Sequence, residues 1–245
     1  MPFTFSHPAL ILPLNYLPKK WFSMTVLIIG SLTPDFEYFI RMRVHSIYSH
    51  SLEGLFWFDL PLGIILCFIF HNIVKSNLID NTPNFLFQRL SVFNSFNWNN
   101  YFIKNFAIVI LSIILGASSH LLWDSFTHPN GFFVNKISFF SETVSLYKIK
   151  IPNYKLIQHS SSFFGGIVVV LSLLLIPKSI KLNNQISIKY WLLIFVFTFL
   201  IIFLRLFFGL DYKLYGHLIA TAISAFLISL IITPLITIKK AQKNF

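Results

Sequence analysis

The sequence predicts an all-α polytopic membrane protein, a helical bundle of about five spanning helices with a short N-terminal helical hairpin. Of its 245 residues, 56% are hydrophobic, 11% are charged and 30 are phenylalanine, and the mean hydropathy is +0.72. An ordinary soluble domain has roughly 25% charged residues. Too few charges remain to cover so much apolar surface in water. The composition therefore argues against a soluble enzyme, a nucleic-acid-binding domain and a disordered tail.

The predicted spans follow from the length of the apolar runs. A transmembrane helix needs about 20 apolar residues to cross the hydrocarbon core. Four segments reach that length, namely 54–74, 102–123, 188–210 and 216–238. A fifth, 162–176, is shorter and is followed by Pro177, so we expect it to tilt or to thin the bilayer locally. Together they form a single integral-membrane domain over residues 1–245, with the sequence motifs in residues 1–166.

Two shorter apolar segments precede the spans. Residues 9–17 and 21–32 are separated by Pro18, Lys19 and Lys20, and neither is long enough to cross a bilayer alone. We expect a re-entrant or interfacial hairpin that packs against the other helices. The later loop 129–158 is polar, and its Val/Ile/Tyr alternation is too weak to predict a strand.

The net charge of +11 does not indicate a nucleic-acid partner. The 19 Lys and Arg residues lie between the apolar runs, as in membrane-protein loops, and they form no stripe. Membrane lipids are the expected partners, and the oligomeric state is left open. The single cysteine, Cys67, lies inside an apolar run and excludes an intramolecular disulfide and multi-cysteine metal sites. A bound metal would therefore need nitrogen and oxygen ligands.

Histidines and acids concentrate near one end of the predicted spans. Ionisable groups are costly near a membrane, so their positions are informative. Following the chain through the spans places most of them at one membrane face, with one histidine a helical turn below it. The candidate metal ligands among them are His7, Asp35, His50, His120, Asp124 and His128.

The spacing of these residues adds to the prediction, although each also has a structural explanation. His120 and Asp124 are four residues apart and share a helix face, which suits either two metal ligands or a hydrogen-bonded pair. Asp35 and Glu37 follow Thr33, where they would ligate a metal or complement a helix N-terminus. A lone histidine at a membrane interface is more often structural. The metal hypothesis rests on the convergence of all these side chains.

Five sequence blocks closely resemble a bacterial membrane protein family catalogued as domain of unknown function 4184. They are MPFTFSHPALILPL, GSLTPDFEYFIR, HSLEGLFWFDLPLG, GASSHLLWDSFTHPNG and LIQHSSSFFGG, in that order. The resemblance covers residues 1 to about 166, and the last two spans match only as hydrophobic helices.

A more distant resemblance connects the chain to metal-dependent inner-membrane hydrolases of the LexA-binding type. The shared order is Pro-Asp, then His-Ser, then His-x-x-x-Asp, in which the motif residues are regarded as metal ligands. The matching positions are Asp35, His50, His120 and Asp124. This chain has Glu37 where those hydrolases tend to have a second aspartate, and it lacks an Arg-Gly stretch before the His-Ser pair.

These observations support two hypotheses of function. The first is a metal-dependent hydrolase that uses a divalent metal, zinc being the expected ion, on a lipid-like or phosphoester substrate at the membrane face. Imidazole and carboxylate ligands suit zinc, and Glu37 is then the expected general base or orienting carboxylate. The second is a non-enzymatic membrane protein with a structural polar network or an ion or proton pathway. In either case the expected location is the bacterial inner (plasma) membrane.

Overall fold

Almost all of the regular structure is helical. The computed structural model describes residues 3–18, 20–146, 149–181, 186–211 and 213–241. In chain order the α-helices and strands are α1 (Pro8–Ile11), α2 (Met24–Leu32), α3 (Phe36–Arg41), α4 (Leu60–Ile69), α5 (Lys75–Asp80), α6 (Asn84–Leu90), α7 (Trp98–Lys104), α8 (Phe106–Thr127), α9 (Phe132–Lys136), α10 (Ser138–Ser141), β1 (Thr143–Leu146), β2 (Ile149–Pro152), α11 (Asn153–Leu174), α12 (Ile188–Phe207) and α13 (Tyr215–Ala241). The 3₁₀ helices are Thr4–Ser6, Leu12–Tyr16, Thr33–Asp35 and Ser91–Ser95, and π-helical turns cover Leu55–Asp59 and Phe70–Val74.

Five helical segments are long and apolar enough to cross a membrane, which confirms the predicted fold class. They are Leu55–Asp80, Phe106–Lys136, Asn153–Leu174, Ile188–Phe207 and Tyr215–Thr237. The first joins α4 and α5 through the π-helical turn Phe70–Val74. The third starts earlier than its predicted start at residue 162, because the helix begins at Asn153, directly after Pro152, and contains 22 residues. It therefore has the length of a full span without bilayer thinning.

The segments between the predicted spans contain regular structure of their own. Residues 75–101 include the end of the first span as well as α6 and most of α7. Strands β1 and β2 form an antiparallel hairpin in which Thr143 is opposite Pro152, so the expectation of no strand in 129–158 was wrong. Pairing between two strands stabilises each of them, and this contribution is invisible in the alternation of one short segment.

The chain divides into two compact units. The first comprises Met1–Phe36, Ser46–Ile64 and Asn105–Leu174, and the second comprises Glu37–His45, Ile65–Lys104 and Leu175–Phe245. In the second unit, Val74, Tyr190, Ile194 and Leu230 form a buried cluster. The expectation of a single membrane domain stays a prediction.

In the first unit, α2 and α8 pack very closely at two glycines. A Cβ on Gly30 would lie 2.7 Å from the backbone oxygen of Ile113. A Cβ on Gly116 would lie 2.7 Å from the backbone nitrogen of Ser31 and closer still to the backbone oxygen of Leu27. Small residues permit this approach of two helix backbones. The contact fixes the position of the next turn of α8, which carries His120.

Candidate metal centre

Separate segments of the first unit bring the predicted metal ligands together. One histidine precedes α1, an aspartate ends the 3₁₀ helix after α2, a second histidine precedes the first span, and three ligands lie along α8 or directly after it. In that order the residues are His7, Asp35 and His50, and then His120, Asp124 and His128. Residues far apart in the sequence therefore face one another within one unit.

Two histidine nitrogens and two carboxylate oxygens form the centre of this cluster. His50 Nε2 lies 3.5 Å from Asp35 Oδ1 and 3.5 Å from Asp124 Oδ2. His120 Nε2 lies 3.6 Å from Asp35 Oδ1 and 3.4 Å from Asp124 Oδ2. Tetrahedral zinc with bonds of about 2.0–2.2 Å separates its ligand atoms by roughly 3.3–3.6 Å. The four nitrogen–oxygen separations match that range, and His50, His120 and Asp124 offer ligand atoms that all lie within 4.8 Å of one another and could hold a metal.

The hydrogen bonding of His120 determines which of its nitrogens faces the cluster. Its Nδ1 lies 2.8 Å from the backbone oxygen of Ser31. A carbonyl oxygen only accepts, so Nδ1 carries the hydrogen and donates it. In the neutral ring the lone pair is then on Nε2, directed at two carboxylate oxygens. That contact is repulsive unless a proton or a metal ion lies between the atoms, and the ring is fully buried, with 0% exposure.

Hydroxyl groups next to the cluster orient two of the other ligands. Thr4 Oγ1 donates a short hydrogen bond to Asp35 Oδ2, which leaves Oδ1 facing the histidines. Ser49 Oγ lies 2.9 Å from Nδ1 of His50, and its ring then presents Nε2 to both carboxylates. Such outer hydrogen bonds fix ligand orientation and tune metal affinity.

We expect Thr4→Val to weaken metal binding by about 10–100-fold, the usual cost of removing an outer hydrogen bond. Valine keeps the shape of threonine but cannot donate to Asp35. Thr4→Ser keeps the hydroxyl and is the matched control, with an affinity close to that of the wild type. Isothermal titration of the metal-free protein with Zn²⁺ measures both. Equal affinities for Thr4→Val and the wild type would contradict the orienting role.

His7 and His128 face the other oxygen of Asp124. Oδ1 lies 3.8 Å from His7 Nε2 and 3.4 Å from His128 Nδ1. The ring of His7 also stacks on that of His120, with centroids 3.7 Å apart and planes at 15°. Two sets of side chains could hold a metal with ligand atoms within 4.8 Å of one another, namely His7, Asp35 and His120, and His50, His120 and Asp124.

Burial and neighbouring charges shift the pKa values of the ligands outside the spans. Burial, followed by the neighbouring His120, lowers the pKa of His7 to about 3 and keeps its ring neutral. Burial also acts to lower the pKa of His50, but hydrogen bonds to Asp124 and Asp35 outweigh it and raise the value to about 9. Burial acts to raise the pKa of Asp35, yet the adjacent histidines, His120 first, hold it below its usual value. The carboxylates therefore favour positive charge on His50, and the histidines favour negative charge on Asp35. A carboxylate that stays ionised beside imidazole nitrogens is suited to bind a cation.

Glu37 is placed differently from the other predicted site residues. It lies in α3 within the second unit, and its Oε1 accepts hydrogen bonds from Arg41, at 2.8 Å from both Nε and Nη2. Neither of the two metal-capable sets found among the described residues includes it. Its role as general base stays a prediction.

Sequence reasoning did not identify the groups that orient the ligands. Ser49 is adjacent to His50 in the sequence, so its hydrogen bond to the imidazole could have been predicted. Thr4 is 31 residues from Asp35, and the acceptor for His120 is the backbone oxygen of Ser31, 89 residues away. No spacing rule connects such partners, and only the folded chain identifies them.

The fold and this site define a class: a polytopic α-helical membrane protein with a buried cluster of histidines and aspartates that could hold a metal ion. The chain belongs to the family described as Domain of unknown function (DUF4184), whose profile matches residues 1–236. The match extends beyond residues 1–166 and includes the last two spans. No curated protein and no solved structure matches the chain. The likeness to metal-dependent membrane hydrolases stays a prediction.

Proposed function

We propose that the protein is a metal-dependent hydrolase of the bacterial inner (plasma) membrane that acts on a lipid-like or phosphoester substrate. The observation that carries the proposal is that the Nε2 atoms of His50 and His120 each lie 3.4–3.6 Å from one oxygen of Asp35 and one oxygen of Asp124. This spacing suits direct ligation of one divalent ion.

A metal ion accounts for the buried groups better than a network of protons. Buried carboxylates and imidazoles are costly unless each has a partner. One divalent ion would neutralise Asp35 and Asp124 together and accept the lone pairs of both histidines. Imidazole and carboxylate ligands suit zinc, and they also allow manganese. We propose zinc, because two of the four ligands are nitrogen.

A divalent ion held by these ligands would supply the two things that a hydrolase needs, an activated water and a polarised substrate oxygen. A bound divalent ion lowers the pKa of a coordinated water towards neutrality and polarises an ester or phosphoryl oxygen. The two negative charges of Asp35 and Asp124 would balance the charge of a divalent ion. The hydroxyl of Thr4 orients Asp35, and the backbone carbonyl of Ser31 orients His120. Glu37 stays the proposed general base or orienting carboxylate, and its Oε1 forms an ion pair with Arg41.

The location of the ligands along the chain supports a substrate with a lipid part. His50 lies five positions before the span that begins at Leu55, and His128 directly follows α8. Both belong to the ends of spanning segments, where lipid head groups lie. A phosphoester or ester at the head of a lipid would reach such a site without leaving the membrane.

The test combines metal analysis with hydrolysis. The detergent-purified full chain is stripped with a chelator, reloaded with Zn²⁺ or Mn²⁺, and assayed on nitrophenyl phosphoesters and esters and on lipid phosphates. We expect activity that requires the metal and falls by at least about 100-fold in His120→Ala, since removing a ligand costs 3 kcal/mol or more. His159→Ala, at an exposed position in α11, is the control.

Two results would overturn the proposal. If no divalent metal binds, the polar cluster is a structural network or part of an ion or proton pathway, which is the non-enzymatic alternative. If metal binds but no substrate of these classes is hydrolysed, the centre has another use.

A further inference from the structure

We propose that the cluster holds a second metal ion, bound by Asp124 Oδ1, His7 Nε2 and His128 Nδ1, so that Asp124 bridges two ions. This inference rests on the proposed function, in which Asp124 Oδ2 serves the first ion. It narrows the substrate class to phosphoesters.

The geometry around Asp124 separates its two oxygens. Oδ2 faces His50 and His120 at 3.5 and 3.4 Å, whereas Oδ1 faces His7 and His128 at 3.8 and 3.4 Å. The stacked rings of His7 and His120 direct their Nε2 atoms at different oxygens of the same carboxylate. A carboxylate with nitrogen ligands gathered at each oxygen is suited to bridge two cations.

Two of the three ligand atoms of the second set, His7 Nε2 and Asp124 Oδ1, make no hydrogen bond among the described residues. His7 is 1% exposed, and neither of its ring nitrogens makes a hydrogen bond there. Asp124 Oδ1 is likewise buried without one. Buried polar atoms in native proteins almost always have a partner, because leaving one without costs about 1–3 kcal/mol. A cation at this position would be a partner for Nε2 of His7 and for Oδ1 of Asp124.

His128 also has an available lone pair. Its Nδ1 makes a long contact of 3.4 Å with Thr127 Oγ1. The Thr127 hydroxyl donates its hydrogen to the backbone oxygen of Trp123 at 3.2 Å, so that hydrogen is not directed at the imidazole. The Nδ1 atom can therefore act as a ligand when the ring is neutral.

The first and the second proposed ion differ in the number of protein ligands. This difference indicates which ion would bind the water that attacks the substrate. The first set has four, so a water there would take a fifth position, whereas the second has three and leaves the fourth position of a tetrahedral ion open for water. The His128 side chain is 26% exposed, so this side of the cluster reaches the protein surface. Paired metal ions characteristically stabilise the attacking and leaving oxygens in phosphoryl transfer, which favours a phosphoester over a carboxylic ester.

One other arrangement uses the same residues. His7 also lies within reach of Asp35 and His120 and would then be a fifth ligand of a single ion. That arrangement predicts one ion per chain and gives His128 no part in binding. The number of bound ions, compared between variants, therefore distinguishes the two.

The experiment counts zinc ions in the detergent-purified full chain after chelation, reloading and gel filtration, by elemental mass spectrometry. We expect two ions per chain in the wild type, and one in His128→Ala and in His7→Gln. His128→Ala changes a partly exposed side chain, so it tests the site even if His7→Gln folds poorly. His159→Ala is the matched control and keeps two ions.

A spectrum of the Mn²⁺-loaded protein tests the bridge itself. Two Mn²⁺ ions that share Asp124 are expected to give an exchange-coupled electron paramagnetic resonance signal, which becomes an uncoupled signal in His128→Ala. A single ion in the wild type, or two that are uncoupled, would overturn the second site while leaving the proposed function intact. Absence of any bound ion would overturn both proposals.

Discussion

Replacement of Asp124 by asparagine is expected to lower metal affinity by roughly 100-fold or more, the equivalent of breaking a buried charged pair. The oxygens of this carboxylate lie 3.4–3.8 Å from nitrogens of four histidines, His7, His50, His120 and His128. An amide of the same shape has no charge and only one acceptor oxygen. Its NH₂ group would face two of the histidines and could not ligate a cation.

Titration of the metal-free protein with Zn²⁺ measures this loss, and thermal unfolding with and without metal gives an independent readout. A ligand that binds only the folded state raises the free energy of unfolding by an amount that grows with the logarithm of its affinity. The wild type should therefore gain thermal stability from added Zn²⁺, and Asp124→Asn should gain little. Glu142→Gln removes an exposed carboxylate of the same unit and is the matched control. Wild-type affinity in Asp124→Asn would exclude this carboxylate as a ligand.

The sequence predicted those features of the site that depend on local periodicity. The apolar runs, four of them long enough to span alone, predicted the five spans. The four-residue spacing of His120 and Asp124 placed both on one face of α8, because side chains four apart are neighbours on a helix. Counting the spans also predicted that His50 and His128 share a membrane face. These arguments need only the length and the period of a helix.

Other features depend on contacts between distant segments and were not predictable in this way. Nothing in the sequence indicates that Asp124 divides its two oxygens between pairs of histidines, or that Thr4 orients Asp35. The bounds of the third span were misplaced because polar residues after Asn153 continue the helix. One signal was overlooked: Glu37 and Arg41 are four residues apart on α3 and form an ion pair.

Gly116 positions His120 although it has no side chain that could contact the site. The glycine lets the backbones of α2 and α8 meet, and His120 lies one turn further along α8, where its Nδ1 donates to Ser31 on α2. A side chain at Gly116 would contact the backbone of Leu27 and lie 2.7 Å from the nitrogen of Ser31. Backbone atoms cannot rotate away, so the two helices would have to separate.

Gly116→Ala is therefore expected to destabilise the protein by about 1–3 kcal/mol, the range for overpacking a close-packed interior, and to weaken metal binding by loosening His120. Gly166→Ala is the matched control, because a Cβ there meets only Ser6 Oγ at 3.7 Å, an ordinary contact. In the middle of α11 that change should be neutral or stabilising by up to about 1 kcal/mol. Thermal unfolding in detergent and Zn²⁺ titration measure both variants. Equal behaviour of the two alanine variants would show that the close approach of α2 and α8 does not determine the position of His120.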